Sequence, residues 1–374
     1  MTPRAGEIRA LTSLRGIAAL YIVLLHFSVT AQRHATGRIP ALAPDGVLAV
    51  DLFFVLSGFI MAYTYLDDFT RHGMGFFPSF LARRFARIMP LNIAVLLLIA
   101  GTTLVCLAIV GRNPFPFVDP ARLSRNLLTN ILLLQGLGIG ENLNGPSWSI
   151  SDECIAYLIF PALLSIAFHR RLVIAVLACM ISVAMIAFIA SKQPNFQMDP
   201  TGANGIYWDI VRCVAEFTLG LAVYRVYRAP VRHHLLSSDA AFFSIVGAIA
   251  LIILLRGGQL FTALLFPPLI LAISRNKTRG KRLLECRPLY FLGVVSYSIY
   301  LIHNPIRFLE IDLVLLLHPD PFSRPAAMGF AALGAASVIL PAWITYRLFE
   351  QPGRNLFRRL LGGIRRRAPG SIPL

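Results

Sequence analysis

The chain has 374 residues, 56% of them hydrophobic and only 14% charged, with a mean hydropathy of +0.68. Soluble domains carry about 25% charged residues, so this composition excludes an ordinary soluble fold and leaves no room for a separate soluble domain. The net charge of +17 does not point to nucleic acid as a partner. The basic residues sit in short clusters between apolar runs, which is how membrane topology is set, and no aromatic-and-basic platform interrupts those runs.

In chain order the apolar runs occupy residues 11–30, 47–66, 88–110, 125–138, 149–168, 172–190, 209–225, 239–255, 259–274, 288–309 and 326–348. A hydrocarbon core needs about 17–25 apolar residues per helix. The basic clusters are the N-terminus, Arg83-Arg84-Phe-Ala-Arg87, His169-Arg170-Arg171, Tyr224 to His234, Arg275 to Arg282, and the tail from Arg354. If every run crosses, several clusters alternate onto the outside. The run 125–138 is the shortest, and Gly136, Gly138, Gly140, Gly145 and Pro146 crowd its end. If it does not cross, every cluster falls on the cytoplasmic side at once.

The expected fold is therefore all-α: a polytopic membrane bundle of about ten transmembrane helices with both termini inside. A transmembrane domain spans 1–352, and a basic cytoplasmic tail spans 353–374. Residues 111–147 form an outer loop with a re-entrant segment around 125–147. Non-helical backbone at that depth is tolerated only where protein or a water-filled cavity surrounds it, so the loop points to a cavity. Trp148 and Trp208 fall at outer ends, as an interfacial belt requires. The first run is too long for a cleaved signal peptide and reads as an uncleaved helix. Cys106, Cys154, Cys179, Cys213 and Cys286 show neither metal-ligand nor disulfide-framework spacing, so they read as small hydrophobes and no metal is expected.

Ionisable groups inside spans are expensive and are functional candidates by default. Arg15 and His26 lie eleven positions apart on the first helix, about three turns, so both project from one face roughly 16 Å apart. Arg15 is toward the inner end and His26 toward the outer. Asp51 opens the next run, in Gly46-Val-Leu-Ala-Val-Asp51-Leu-Phe-Phe-Val-Leu-Ser57-Gly58-Phe59, at about the depth of His26. Pro146-Ser-Trp148-Ser149-Ile-Ser151-Asp152-Glu153 puts Glu153 one to two turns below the outer surface. Arg212 and Glu216 have the i, i+4 spacing of a pair. Ser296-Tyr297-Ser-Ile-Tyr300-Leu-Ile-His303-Asn304-Pro305 should kink at its proline.

Depth sorts these residues into two groups. His26, Asp51 and Glu153 are outer, with His303 and the Arg212–Glu216 pair. Arg15 is inner, with Arg83, Arg84 and Arg87. Inner guanidiniums suit a phosphorylated anion from the cytoplasm, and an outer imidazole with carboxylates suits proton transfer. Structural readings stand beside these. The arginine cluster could be a topology signal alone, Arg212–Glu216 a structural pair, His303 the partner of a carbonyl freed by the kink, and Tyr297 and Tyr300 packing residues.

The arginine, ten residues, then histidine of Arg15–His26 resembles the first-helix signature of the bacterial type-three membrane acyltransferases, the O-acyltransferases of O-antigen, exopolysaccharide and nodulation factors. Asp51 to Phe59, Arg84-Phe-Ala-Arg87, Pro146-Ser-Trp148-Ser149 to Glu153, Arg212 to Glu216-Phe217 with Gly220, Ser296-Tyr297 through His303-Asn-Pro305, and Glu350-Gln-Pro352 are similar in the same order, over roughly residues 9–352. The resemblance implies a bacterial cytoplasmic (inner) membrane location and an acyl donor, usually acetyl-CoA, reached from the cytoplasm. It also implies a carbohydrate acceptor, free or lipid-linked, on or near the outer face.

Under that resemblance Arg15, Arg84 and Arg87, with Arg83 behind them, hold donor phosphate or pantetheine. His26 is the general base for the acceptor hydroxyl or a transient acyl carrier, and Asp51 or Glu153 orients it. Trp148, Ser149, Tyr297, His303, Arg212 and Glu216 line the path of acceptor or thioester. A glycan or lipid transporter without covalent chemistry is the second reading. The absence of a convincing internal repeat counts against it, since many transporter folds are built from inverted repeats.

Overall fold

A computed structural model describes residues 7–40, 42–192, 206–230, 237–255, 258–317 and 320–356. Its helices are α1 (Arg9–Arg33), α2 (Leu48–His72), α3 (Phe77–Val110), α4 (Leu123–Ile131), α5 (Trp148–Ala167), α6 (Leu172–Lys192) and α7 (Ile206–Arg228). They continue with α8 (Asp239–Leu254), α9 (Gln259–Arg275), α10 (Arg279–Leu284), α11 (Arg287–Val294), α12 (Ser296–Leu317), α13 (Arg324–Ser337) and α14 (Ile339–Thr345). Among the described residues there is no β-strand, only an isolated bridge between Ala35 and Phe322.

Among those residues, five helical segments are long and apolar enough to cross a membrane: Arg9–Arg33, Leu48–Val110, Gly145–Ala167, Leu172–Lys192 and Arg324–Leu356. The second contains both α2 and α3, joined by the short 3₁₀ turn Gly73–Phe76. Helices α8 and α9 are shorter apolar helices. Helices α7 and α12 are 23 and 22 residues long but carry buried charge, with Arg212 and Glu216 on one and Arg307 on the other. Large apolar side chains such as Leu104, Ile109, Met180 and Leu333 face outward, as a lipid solvent allows and water disfavours. The expected all-α membrane bundle is the fold observed. The tail from residue 357 onward lies outside the described residues.

The shortest apolar run behaves as its glycines suggest. Helix α4 has nine residues, about 14 Å of helix, under half of a ~30 Å hydrocarbon core. The 3₁₀ turns Gln135–Leu137 and Gly145–Ser147 follow it. Buried amide side chains supply the hydrogen bonds that this irregular backbone lacks. Asn130 donates to the carbonyls of Asn126 and Glu141, both at 2.7 Å, and accepts from the Leu143 N–H at 3.0 Å. Asn126 accepts from the Glu141 N–H at 3.1 Å. The side chains thus meet the requirement that buried backbone polar groups be paired.

That loop also docks on α12. Pro305 lies inside α12 and has no N–H, so the carbonyl of Leu301, four residues earlier, loses its helical partner. Asn144 fills the gap, donating to Leu301 O at 2.9 Å. The carbonyl freed by the kink is therefore served by the loop, whereas His303 bonds the carbonyl of Tyr300. Helices α2 and α7 run parallel and touch backbone to backbone. A Cβ on Gly58 would strike the Phe217 carbonyl, and one on Gly220 the Val55 carbonyl, so only glycine permits this approach. The contact lies about two turns from Asp51 and Arg212 and holds those residues opposite each other.

Candidate active site

Three polar clusters lie inside the bundle. The first lines a cavity of about 100 Å³ among α1, α2, α3, α5 and α12. Arg15, Arg84, Arg87, Glu153, Ser57, Ser149, Tyr157, Tyr297 and Tyr300 form its polar wall, and Val50, Phe53, Phe54 and Ile60 are among its apolar lining. Arg84 donates to Tyr65 Oη at 3.1 Å and stacks over the Tyr65 and Tyr157 rings. Tyr297 Oη donates to the Ile88 carbonyl at 2.8 Å, tying α12 to α3 beside the cavity. Ser57 donates to Glu153. Three half-buried guanidiniums thus share the cavity wall with a single carboxylate, and charge partly removed from water without a counterion is costly. An anionic ligand would remove that imbalance. Beside this wall, Glu350 is fully buried and accepts from Arg354 and, at 2.8 Å, from Ser298.

The second cluster is closed. Arg212, Asp51 and Glu216 are each at most 1% exposed, and Arg212 binds Asp51 directly, with Glu216 at 3.6 Å. One guanidinium thus lies between two carboxylates and ties α7 to α2 through Asp51. None of the three lines the cavity.

The third cluster surrounds His26, which is half-buried on α1. His26 Nδ1 meets His303 Nε2 at 3.2 Å, with ring centroids 5.0 Å apart. His303 Nδ1 lies 2.7 Å from the Tyr300 carbonyl. Arg307 donates to the His26 carbonyl at 3.2 Å, to Thr30 Oγ1 at 2.7 Å and to Asn304 Oδ1 at 2.7 Å. It therefore clamps α1 to α12 around the imidazole pair. Tyr300 joins this cluster to the first: its ring lines the cavity, and its Oη pairs with Ser149 Oγ at 2.7 Å and the Pro146 carbonyl at 3.0 Å.

These positions redraw the grouping by depth. Glu153, expected beside His26, faces Arg84 and Ser57 in the arginine cavity. Asp51, the other carboxylate expected to orient His26, is held by Arg212. Neither contacts the imidazole, whose partner is His303. Arg15, Arg84 and Arg87 do come together, whereas Arg83 lies outside the cavity wall, over the Phe76 ring. Ser149 and Tyr297 reach the cavity. Trp148 instead packs edge-on against Phe54, at 6.3 Å. Sequence reading missed Ser57, Tyr157 and Arg307. Arg307 carried a signal, being a charge four residues beyond His303 and so on the same helix face. Ser57 and Tyr157 carried none, since a hydroxyl in a span is ordinary.

Comparison with known proteins gives the family of the chain as a whole. A family model described as an acyltransferase domain matches residues 8–347. The chain is 28% identical to the acyltransferase MdmB of Streptomyces mycarofaciens over all of this chain and 97% of that protein. It is 28% identical to the putative membrane-bound transacylase BcsY of Komagataeibacter xylinus, over 94% of this chain and 84% of that protein. It is also 22% identical to the peptidoglycan O-acetyltransferase OatA of Listeria monocytogenes, over 93% of this chain and 56% of that protein. No solved structure matches significantly.

Proposed function

The chain belongs to this acyltransferase-domain family, and from that premise we propose that it moves an acyl group, acetyl in the first instance, from cytoplasmic acyl-CoA to a carbohydrate hydroxyl. The acceptor, free or lipid-linked, would lie at or near the outer face of a bacterial cytoplasmic membrane. The carrying observation is the cavity, in which Arg15, Arg84 and Arg87 face one carboxylate; His26 lies outside its lining and is linked to it through His303 and Tyr300. Guanidinium pairs phosphate bidentately, so the arginine end suits the pyrophosphate side of the donor. The apolar walls toward Val50 and Phe53 suit pantetheine and the thioester.

In the proposed step the acceptor hydroxyl gives its proton to His26 and its oxygen attacks the thioester carbonyl. The carbon–sulfur bond breaks, and the CoA thiolate leaves with the proton that the imidazolium returns. The products are an O-acyl carbohydrate and free CoA thiol. OatA's name describes transfer to peptidoglycan, which supports a glycan acceptor here. Mass spectrometry of surface carbohydrates from cells with and without the gene tests the reading. Loss of one acyl group from one glycan supports it, and unchanged acylation across all surface glycans overturns it.

A further inference from the structure

Resting on the reading of His26 as the base, we infer that His303 is its positioning residue: it fixes the His26 tautomer through a backbone carbonyl, where other bases use a carboxylate.

The tautomers follow from the partners. A carbonyl oxygen can only accept, so His303 Nδ1, 2.7 Å from Tyr300 O, carries the proton. Neutral His303 then presents a lone pair at Nε2. His26 Nδ1, 3.2 Å away, must be the donor across that contact. With its Nδ1 protonated, neutral His26 has its lone pair on Nε2, and Nε2 is the nitrogen that can take the acceptor proton. A second hydrogen bond commonly sets which imidazole nitrogen is basic. Here the chain of assignment ends on the peptide backbone of α12.

The backbone also holds the pair in place. His303 is fully buried. Arg307, one turn further along α12, donates to the carbonyl of His26 itself and to Thr30 Oγ1 one turn beyond on α1. The base and the residue that orients it are therefore fixed to each other by three side-chain contacts between two helices. Among the described residues no carboxylate contacts either ring, while the Arg307 guanidinium is held at the His26 backbone carbonyl. An imidazolium here has no anion to stabilise it. The proton must therefore pass on to the departing thiolate as the carbon–sulfur bond breaks, rather than being stored on the ring. His303 keeps its own proton throughout.

The test uses the full chain in membrane vesicles of the bacterium that makes it, with radiolabelled acetyl-CoA as probe and label in carbohydrate as readout. His303→Leu removes the acceptor for His26 Nδ1–H. Apparent kcat should fall on the order of 100-fold while the KM for acetyl-CoA stays within about twofold, because the arginine cavity is untouched. His303→Gln, whose amide oxygen can accept the same hydrogen bond, should recover activity to within about tenfold of the wild type. Solid-state ¹⁵N spectra of histidine-labelled wild-type protein should show His26 protonated at Nδ1. If the leucine variant fails to fold, the glutamine variant and the wild-type spectrum decide. Full kcat in His303→Leu, equal loss in both variants, or an Nε2-protonated His26 would overturn the inference. Retained transfer in His26→Ala would instead overturn the reading of His26 as base.

Discussion

At the residue scale, the charges inside apolar runs were legible, and their companions were not. Arg15, Arg84, Arg87, His26 and Glu153 stand out because a charge in a span needs a reason. Depth misled where a helix outlasts its apolar run. The third run begins at residue 88, but α3 begins at Phe77, so Arg84 and Arg87 sit two to three turns inside a helix and line the same cavity as Glu153. The prediction at this scale concerns the donor. Arg84→Gln or Arg87→Gln removes a charged hydrogen-bonding group worth about 1.5–3 kcal/mol. The KM for acetyl-CoA should therefore rise about tenfold or more with kcat much less affected, as initial rates at varied donor concentration would show. Arg83→Gln, over Phe76 and outside the cavity, should leave that KM unchanged.

At the element scale, α2 and α7 are joined by two devices of different kinds, the Gly58–Gly220 contact and the buried Arg212 cluster. Gly220 was visible as a motif residue, but that it meets Gly58 depends on which helices pair, and no spacing within one helix carries that. Arg212→Leu leaves Asp51 and Glu216 without their cation. Breaking a buried pair costs about 3–5 kcal/mol, so the thermal midpoint in detergent should drop sharply, whereas Glu216→Gln should cost much less. The loop from α4 to α5 was legible as a non-crossing segment from its glycines, yet its asparagine framework was not, because amide partners are set by the folded backbone. Asn144→Ala strands the Leu301 carbonyl at the Pro305 kink. It should lower stability by about 1–3 kcal/mol, measurable by the same melt, with a larger effect than Asn142→Ala nearer the loop surface.

At the scale of the whole molecule, the helical membrane class was plain in composition, and family membership places the chain among acyltransferases rather than transporters. The orientation proposed from the basic clusters is testable with a native thiol. Cys286 is exposed at the start of α11, while Cys154 and Cys213 are buried. With the termini cytoplasmic, a membrane-impermeant maleimide should label Cys286 in inside-out vesicles and leave it unlabelled in intact spheroplasts. The proposed orientation would have the arginine cavity fill from the cytoplasm and His26 work nearer the outer face. Both belong to one catalytic path only if donor binding and acyl transfer can be separated by mutation. The decisive measurement follows radiolabelled acetyl-CoA into carbohydrate in membrane vesicles carrying wild type or His26→Ala. The wild type should release CoA thiol as label enters glycan. His26→Ala should transfer at least about 100-fold more slowly while still binding acetyl-CoA with wild-type affinity. Transfer by His26→Ala at the wild-type rate would contradict the account.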